Sequence, residues 1–206
     1  MYNTIIYDVD GTLIDTEKAV LGSLQSMLKI DYGKVVPQQD LYFVLGIPGS
    51  KSLPQLGISD IDRANERWNY FMKDFFHSIE VFSGIKDVLD TLKNRNIIQG
   101  IVTSKTYEEL LNDFVPFGLS SYLTHTVCAD DTKKHKPHPE PLIKFLEISG
   151  ADPKKSIYIG DTIYDYECAK DAGIDFGLAL WGCKNYQNIH TKYKFKRPQD
   201  IISLLD

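Results

Sequence analysis

The alternation of short apolar runs with amphipathic stretches limits this chain to few folds. Each run is rich in β-branched and aromatic residues and ends near Asp, Gly, Ser or Thr, which is typical of buried strands. Five such runs occupy residues 3–8, 97–104, 125–130, 156–161 and 176–182. Because strands that alternate with helices form parallel sheets, the sequence predicts an α/β fold with a doubly wound parallel sheet.

Amphipathic helices are predicted between most of the strands. Within residues 84–96 the apolar positions follow the spacing i, i+3, i+4 and i+7, which places them on one face of a helix. Comparable patterns occupy residues 107–119, 140–150 and 164–173. One interval interrupts the alternation, because residues 17–81 contain amphipathic stretches but no convincing strand. We interpret this interval as a helical insertion after the first strand.

Charge, cysteine content and hydropathy exclude several classes of protein. The formal net charge is −5, whereas nonspecific binding to nucleic acid or to an anionic membrane needs clustered Lys and Arg. The cysteines Cys128, Cys168 and Cys183 are widely spaced, so neither a disulfide framework nor a zinc site is indicated. No run approaches the ~18 apolar residues of a membrane helix, and the first residues lack a signal-peptide pattern. We therefore expect a cytoplasmic protein with no nucleic-acid or membrane partner.

Carboxylates and hydroxyls follow three of the predicted strands. They are Asp8 and Asp10 after the first strand, Thr103 and Ser104 after the second, and Asp161 and Asp165 after the fourth. Ligands of parallel sheets bind at the carboxyl ends of the strands, so these side chains are expected to converge. Neighbouring carboxylates repel unless a cation relieves them, and Mg²⁺ prefers a few carboxylates together with waters and a phosphate. The pattern therefore predicts a Mg²⁺ site beside a bound phosphoryl group.

Four segments resemble the motifs of one enzyme superfamily. They are DVDGTLIDT at residues 8–16, the strand end at Thr103, Lys136 in KPHP, and GDTIYD at residues 160–165. In order and spacing they are similar to the four motifs of the haloacid dehalogenase-like (HAD) superfamily of aspartate-nucleophile phosphotransferases. The chain looks like the phosphoglycolate phosphatase and β-phosphoglucomutase branch, in which a helical cap is inserted between the first two motifs.

The resemblance implies a domain division and an activity. It implies a Rossmann-like HAD core of residues 1–16 and 82–206, with a small α-helical cap domain of residues 17–81. It also implies a Mg²⁺-dependent phosphatase that hydrolyses a small phosphorylated metabolite through an aspartyl-phosphate intermediate. The substrate itself and the oligomeric state stay open at this point.

The resemblance also implies a role for each motif residue. Asp8 would be the nucleophile, and Asp10 would be the general acid that protonates the leaving oxygen and then the base that activates water. The implied phosphate-binding residues are Gly11, Thr103, Ser104 and Lys136. The implied metal ligands are Asp8, Asp10 through its main-chain carbonyl, Asp161 and Asp165.

Several residues have a plainer structural interpretation. Thr103 and Ser104 also suit a cap of the helix that begins near Tyr107, and Asp15 and Thr16 are expected to cap the helix after the first motif. The loop GIPGSKS at residues 46–52 does not fit the phosphate-binding pattern GxxxxGK[ST], because its two glycines are too close together. We interpret it as a cap loop in which Lys51 and Ser52 are candidate substrate contacts.

Two other functions stay open on the sequence alone. A phosphomutase of the β-phosphoglucomutase type would share the Asp8 chemistry. In that pattern a histidine follows the first motif and an arginine lies in the cap loop, whereas Val20 and Gly49 stand near those places here. A non-enzymatic phospho-accepting module would also cluster aspartates at strand ends, but such receiver domains lack a large helical insertion.

Overall fold

The computed structural model describes residues 1–205, and within them the strands form one large sheet and one short ribbon. The strands are β1 (Thr4–Tyr7), β2 (Ile14–Asp15), β3 (Glu80–Val81), β4 (Ile98–Val102), β5 (His125–Val127), β6 (Ser156–Gly160), β7 (Asp175–Ala179) and β8 (Tyr193–Phe195). The large sheet has the order β5-β4-β1-β6-β7-β8, and all of its neighbouring strands are parallel.

The helices lie between the strands. They are α1 (Glu17–Tyr32), α2 (Gly49–Ser52), α3 (Ile61–Met72), α4 (Ile85–Asn94), α5 (Tyr107–Asp113), α6 (Glu140–Ser149) and α7 (Ile163–Ala172). Short 3₁₀ helices occupy Gln38–Val44, Leu53–Leu56, Lys73–Ser78, Val115–Phe117, Leu119–Tyr122, Ala129–Asp131, Pro153–Lys155 and Pro198–Leu205. Among the helices of residues 1–205, none combines the length and the hydropathy that crossing a bilayer requires.

Both faces of the central sheet are covered. In β1, Ile5 and Tyr7 belong to the hydrophobic cluster that includes apolar residues of α4 and α5. Ile6 belongs to a second cluster, which includes residues of α6 and α7. Successive side chains of a strand point to opposite faces, so a fully buried strand needs helices on both sides. The predicted α/β, doubly wound parallel sheet is confirmed.

Some elements differ from the sequence-based expectation at their ends. The helix expected at residues 107–119 ends at Asp113, and a 3₁₀ turn that contains Pro116 follows it. Proline cannot donate the amide that a continuing α-helix needs. Strand β8 is not among the strands predicted from the sequence. It is a three-residue edge strand in which the exposed Lys194 separates two aromatic residues.

The helical insertion leaves the core through a two-stranded ribbon. Strands β2 and β3 pair antiparallel, with Ile14 opposite Val81 and Asp15 opposite Glu80. Between them, α1 and α3 pack against each other, and the insertion has a hydrophobic cluster of its own that includes Leu24 of α1 and Leu53 of the 3₁₀ helix. Because β2 begins seven residues after β1 ends, the insertion lies over the carboxyl ends of the central strands.

Candidate active site

A cavity of about 140 Å³ lies at the carboxyl ends of the central strands, beneath the helical insertion. The core contributes Asp8 and Asp10 after β1, Ser104 after β4 and Asp161 after β6. The insertion contributes its loop around Gly46 and one face of α3. Residues from all three strand ends that were predicted to converge therefore line one cavity.

Three buried carboxylates form the floor of this site. Asp8, Asp161 and Asp165 each offer a carboxylate oxygen, and these oxygens lie within 4.8 Å of one another. The Lys136 ammonium joins two of them, at 2.9 Å from Asp8 Oδ1 and 2.7 Å from Asp165 Oδ1. The second oxygen of Asp8, Oδ2, is buried without a hydrogen-bond partner in the described residues. A buried carboxylate oxygen without a donor is costly, so its environment fits a bound cation.

The protonation equilibria of the cluster reflect its burial. Burial raises the pKa of Asp8 to about 7, the carboxylates of Asp165 and Asp10 add to the rise, and Lys136 opposes it. Burial raises the pKa of Asp161 well above its usual range, and the neighbouring carboxylates reinforce this shift. Burial alone would lower the pKa of Lys136, but Asp165 and Asp8 outweigh it and raise that pKa. A divalent cation among these oxygens would favour the ionised carboxylates.

Asp165 is positioned by the start of α7. Thr162 and Asp165 form a capping box, in which the Thr162 side chain accepts a hydrogen bond from the Asp165 amide. In return, Asp165 Oδ2 accepts hydrogen bonds from the Thr162 amide at 3.0 Å and from its hydroxyl at 2.5 Å. Asp165 Oδ1 accepts from Lys136 and, at 3.0 Å, from the Tyr158 hydroxyl. Both oxygens of Asp165 thus have donors, in contrast with Oδ2 of Asp8.

Asp10 has a different set of partners. Its Oδ1 accepts a hydrogen bond from the Thr16 hydroxyl at 2.6 Å and lies 2.9 Å from the Lys105 ammonium. Lys105 is buried and also pairs with Asp113 at 2.7 Å. Neither Lys105 nor Asp113 is among the site residues predicted from the sequence. The available signal was the position of Lys105, two residues after Thr103 on the same strand end.

The expected caps in this region need correction. Thr16 occupies the residue before α1, but its side chain accepts no capping hydrogen bond and instead binds Asp10. The helix after β4 is capped by Thr106, in a capping box with Glu109, and not by Thr103 or Ser104. Asp15 does accept a hydrogen bond from the Glu17 amide, at 3.2 Å.

The residues expected to bind phosphate surround the same floor. Gly11 has φ +72°, and a side chain there would collide with the Asp161 carboxylate. Thr103 is buried, and its hydroxyl accepts a hydrogen bond from the Lys105 amide at 3.2 Å. Ser104 donates its hydroxyl to the Gly46 carbonyl of the insertion at 3.1 Å. The site therefore combines clustered carboxylates with backbone amides, hydroxyls and buried ammonium groups, which suits a metal ion and an anionic group together.

Comparison with known proteins identifies the family. Residues 5–179 match the family described as haloacid dehalogenase-like hydrolase. The chain is also 31% identical over 208 residues to a phosphoglycolate phosphatase of Aquifex aeolicus, an alignment that covers 98% of this chain and 96% of that protein. This chain belongs to the haloacid dehalogenase-like hydrolase family. It is therefore an enzyme, and the predicted family and hydrolase class are confirmed.

Two further HAD relatives cover almost the whole chain. The pyrophosphatase PpaX of Oceanobacillus iheyensis is 27% identical over 206 residues, which covers 98% of this chain and 96% of that protein. The crystal structure of a candidate phosphoglycolate phosphatase from Lactobacillus plantarum is 29% identical, with a TM-score of 0.92 and 99% of each chain covered. The helical insertion is thus included in the similarity.

The insertion of this HAD chain contacts the site through a different part of its loop than expected. Lys51 is exposed and Ser52 is buried, with its hydroxyl donating to the Gly49 carbonyl at 3.4 Å, and neither of them lines the cavity. The preceding loop residues, 46–49, line it instead. From α3 the lining includes Asn65, Trp68 and Asn69.

Proposed function

We propose that this HAD hydrolase is a Mg²⁺-dependent phosphatase that hydrolyses a small phosphorylated metabolite through an aspartyl phosphate on Asp8. The observation that carries the proposal is the Asp8 carboxylate, which is buried in the cavity. One of its oxygens is held by Lys136, and the other has no partner among residues 1–205. The names of the Aquifex and Oceanobacillus relatives, phosphoglycolate phosphatase and pyrophosphatase, also favour a small phosphorylated substrate.

In the first step, a carboxylate oxygen of Asp8 forms a bond to phosphorus while the bond to the leaving oxygen breaks. The leaving oxygen takes the proton of Asp10, which Thr16 and Lys105 hold in place. In the second step, Asp10 accepts a proton from water as the water attacks phosphorus. The bond between phosphorus and Asp8 then breaks, and inorganic phosphate leaves with Asp8 restored as a carboxylate.

The residues around Asp8 stabilise the charge of the phosphoryl oxygens. Lys136 contributes an ammonium, and Gly11, Thr103 and Ser104 contribute amides or hydroxyls. The donor set fits Mg²⁺, which Asp8, Asp161 and Asp165 would hold together with the main-chain carbonyl of Asp10. When bound, Mg²⁺ supplies positive charge beside the phosphoryl group.

We further propose that residues 17–81 act as a cap domain over a catalytic core of residues 1–16 and 82–206. The insertion reaches the core through the Ser104 to Gly46 hydrogen bond and an ion pair of 2.5 Å between Glu17 and Lys184. A closed cap excludes bulk water from the phosphoryl group. Cytoplasmic location and substrate contacts by Lys51 and Ser52 stay predictions.

The test uses the purified protein and an aryl phosphate, whose leaving group needs no protonation. Hydrolysis is expected with Mg²⁺ and should disappear with a chelator. Asp8→Asn should eliminate both turnover and the phosphoenzyme. Asp10→Asn should still become phosphorylated at Asp8, which mass spectrometry of the peptide can detect, but should release phosphate roughly 10² to 10⁴ times more slowly.

Two outcomes would contradict the proposal. Full turnover by Asp8→Asn would exclude the aspartate nucleophile. A parent protein that becomes phosphorylated at Asp8 but releases the phosphate only over minutes or longer would instead indicate a phospho-accepting module.

A further inference from the structure

The part of the cavity wall that the insertion contributes has no cationic side chain in the described residues. Glu17 is its one charged residue, and that carboxylate pairs with Lys184. The remaining wall is apolar or glycine, apart from the neutral carboxamides of Asn65 and Asn69 on α3 and the indole of Trp68. The insertion therefore offers a bound ligand no positive charge.

The lysines on the core side of the lining are already paired with carboxylates. The Lys105 side chain is 8% exposed, and its ammonium lies between Asp10 and Asp113. Lys184 pairs with Glu17. The positive charge of each ammonium group is therefore balanced, or exceeded, by the negative charge of its carboxylate partners in the protein.

Carboxylates outnumber these lysines around the space beyond the reacting phosphorus. Asp15, Glu17, Glu109 and Asp113 all line the cavity in addition to the aspartates at its floor. Like charges within a few ångströms repel strongly in a partly desolvated site. A ligand group with a second negative charge would therefore meet repulsion on this side of the cavity.

We propose that the leaving group of the substrate is an uncharged alcohol with further hydroxyl groups, and not a group with a second carboxylate or phosphate. This rests on the proposed function, because it concerns the part of a phosphate ester that lies away from Asp8. Carboxamides such as those of Asn65 and Asn69 both donate hydrogen bonds to hydroxyls and accept them.

Aromatic surface completes this part of the cavity. The indole N–H of Trp68 donates to the Ser23 hydroxyl at 2.9 Å, and that of Trp181 donates to the Thr12 carbonyl at 3.0 Å. Since both N–H groups are satisfied within the protein, the rings contribute apolar surface to the cavity. Small-molecule sites typically combine such surface with a few polar groups that fix orientation.

The test compares substrates that differ only in one charge. Glycerol 3-phosphate has a hydroxymethyl group where 3-phosphoglycerate has a carboxylate. The second pair, 2-hydroxyethyl phosphate and 2-phosphoglycolate, differs in the same way. The neutral member of each pair is expected to have a kcat/KM about tenfold higher or more, because only its partner introduces a second anion. Equal values, or a preference for the carboxylate member, would overturn the proposal.

A charge substitution tests the cause of this preference. Asn69→Lys places a cation on the α3 wall of the cavity. It should reduce the ratio of kcat/KM values between the neutral and the carboxylate substrate of each pair by roughly tenfold. The matched control is Gln55→Lys, which adds the same charge at an exposed position of the insertion outside the cavity. The control should leave the ratio unchanged, and an equal change in both variants would contradict a local effect of the wall.

Binding to Asp8→Asn separates this inference from the proposed function. Calorimetric Kd values for the same pairs do not depend on turnover, and the neutral members should again bind more tightly. If the parent protein hydrolyses no aryl phosphate, the proposed function fails. The ratio of Kd values within each pair still shows whether the cavity prefers a ligand without a second negative charge. Tighter binding of the carboxylate members, or no binding of the hydroxylated ones, would overturn the inference.

Discussion

At the scale of single residues, Lys105 joins two carboxylates that serve different purposes. Both carboxylates line the cavity, but Asp10 is partly exposed, whereas Asp113 is buried at the end of α5. Burial raises the pKa of Asp113 to about 6, and Lys105 opposes the rise. Burial alone would lower the pKa of Lys105, but Asp10 and Asp113 reverse this and raise it. Lys105 therefore both compensates a buried charge and positions the proposed acid and base.

Lys105→Met is expected to reduce stability and activity together. It removes the partner of a buried carboxylate, which should lower the free energy of unfolding by about 3 kcal/mol, as measured by urea denaturation. The double variant Lys105→Met with Asp113→Asn should recover much of this stability, because no uncompensated charge stays at position 113. Activity should not recover, because Asp10 still lacks its ammonium partner. Recovery of both would assign Lys105 a purely structural role.

The same pair of variants gives a pH dependence of defined sign. A carboxyl whose pKa is raised on folding stabilises the protein below its unfolded pKa, and this contribution is lost as the pH rises through the folded pKa. For Asp113 this pH window begins near the unfolded pKa of about 4 and extends at least to the folded pKa of about 6. The stability of Lys105→Met should therefore fall between pH 4 and pH 8 relative to the double variant. A difference between the two variants that does not change with pH would contradict this account.

At the scale of elements, two helices begin with the same type of capping box, but its acidic residue has a different role in each. Thr106 and Glu109 cap α5, and Thr162 and Asp165 cap α7. The acidic residue of the α5 box, Glu109, lines the cavity but lies outside the buried carboxylate cluster. In the α7 box, the acidic residue is also a member of the buried carboxylate cluster. A local sequence pattern thus positions a side chain of the proposed metal site.

Thr162→Ala and Thr106→Ala form a matched pair for this comparison. Each removes one capping hydroxyl, so each should lower the free energy of unfolding by about 1 kcal/mol. Only Thr162→Ala also removes one of the two hydrogen-bond donors to Oδ2 of Asp165, and it should weaken Mg²⁺ binding roughly tenfold, as judged by calorimetry. Equal Mg²⁺ affinities in the two variants would show that the α7 capping box does not affect the proposed metal site.

At the scale of the whole molecule, the insertion and the core meet at a glycine. Gly46 has φ +85° and places no side chain in the interface. Its carbonyl accepts a hydrogen bond from the Ser104 hydroxyl. A Cβ atom at this position would lie 2.7 Å from the Thr162 methyl group, which is too close. The closed arrangement of insertion and core therefore depends on the absence of a side chain at position 46.

Gly46→Ala should impair catalysis more than its cost in stability explains. Gly57 also has a positive φ, of +71°, but among residues 1–205 a Cβ there meets only the Lys34 ammonium, at 3.5 Å. Both alanine variants should lose about 1–2 kcal/mol from the strained backbone. Only Gly46→Ala should lower kcat/KM, because it alone keeps the insertion from the core. A comparable loss of kcat/KM in Gly57→Ala would trace the effect to backbone strain.

The sequence by itself determined the fold class and the residues of the carboxylate cluster. Buried strands and amphipathic helices leave periodic patterns in the chain, because each element must bury a particular face. The first motif and GDTIYD identified Asp8, Asp161 and Asp165, since carboxylates at the ends of parallel strands meet at one edge of the sheet. These predictions rest on spacings along the chain, which the sequence records directly.

Tertiary structure alone decided which side chains satisfy one another. It paired Asp10 with Lys105 and Thr16, although the sequence predicts Thr16 as a cap of α1. It also turned residues 46–49 of the insertion toward the cavity and left Lys51 outside. Such contacts depend on the orientation of one packed element relative to another. Many distant residues set that orientation together, so no local pattern records it.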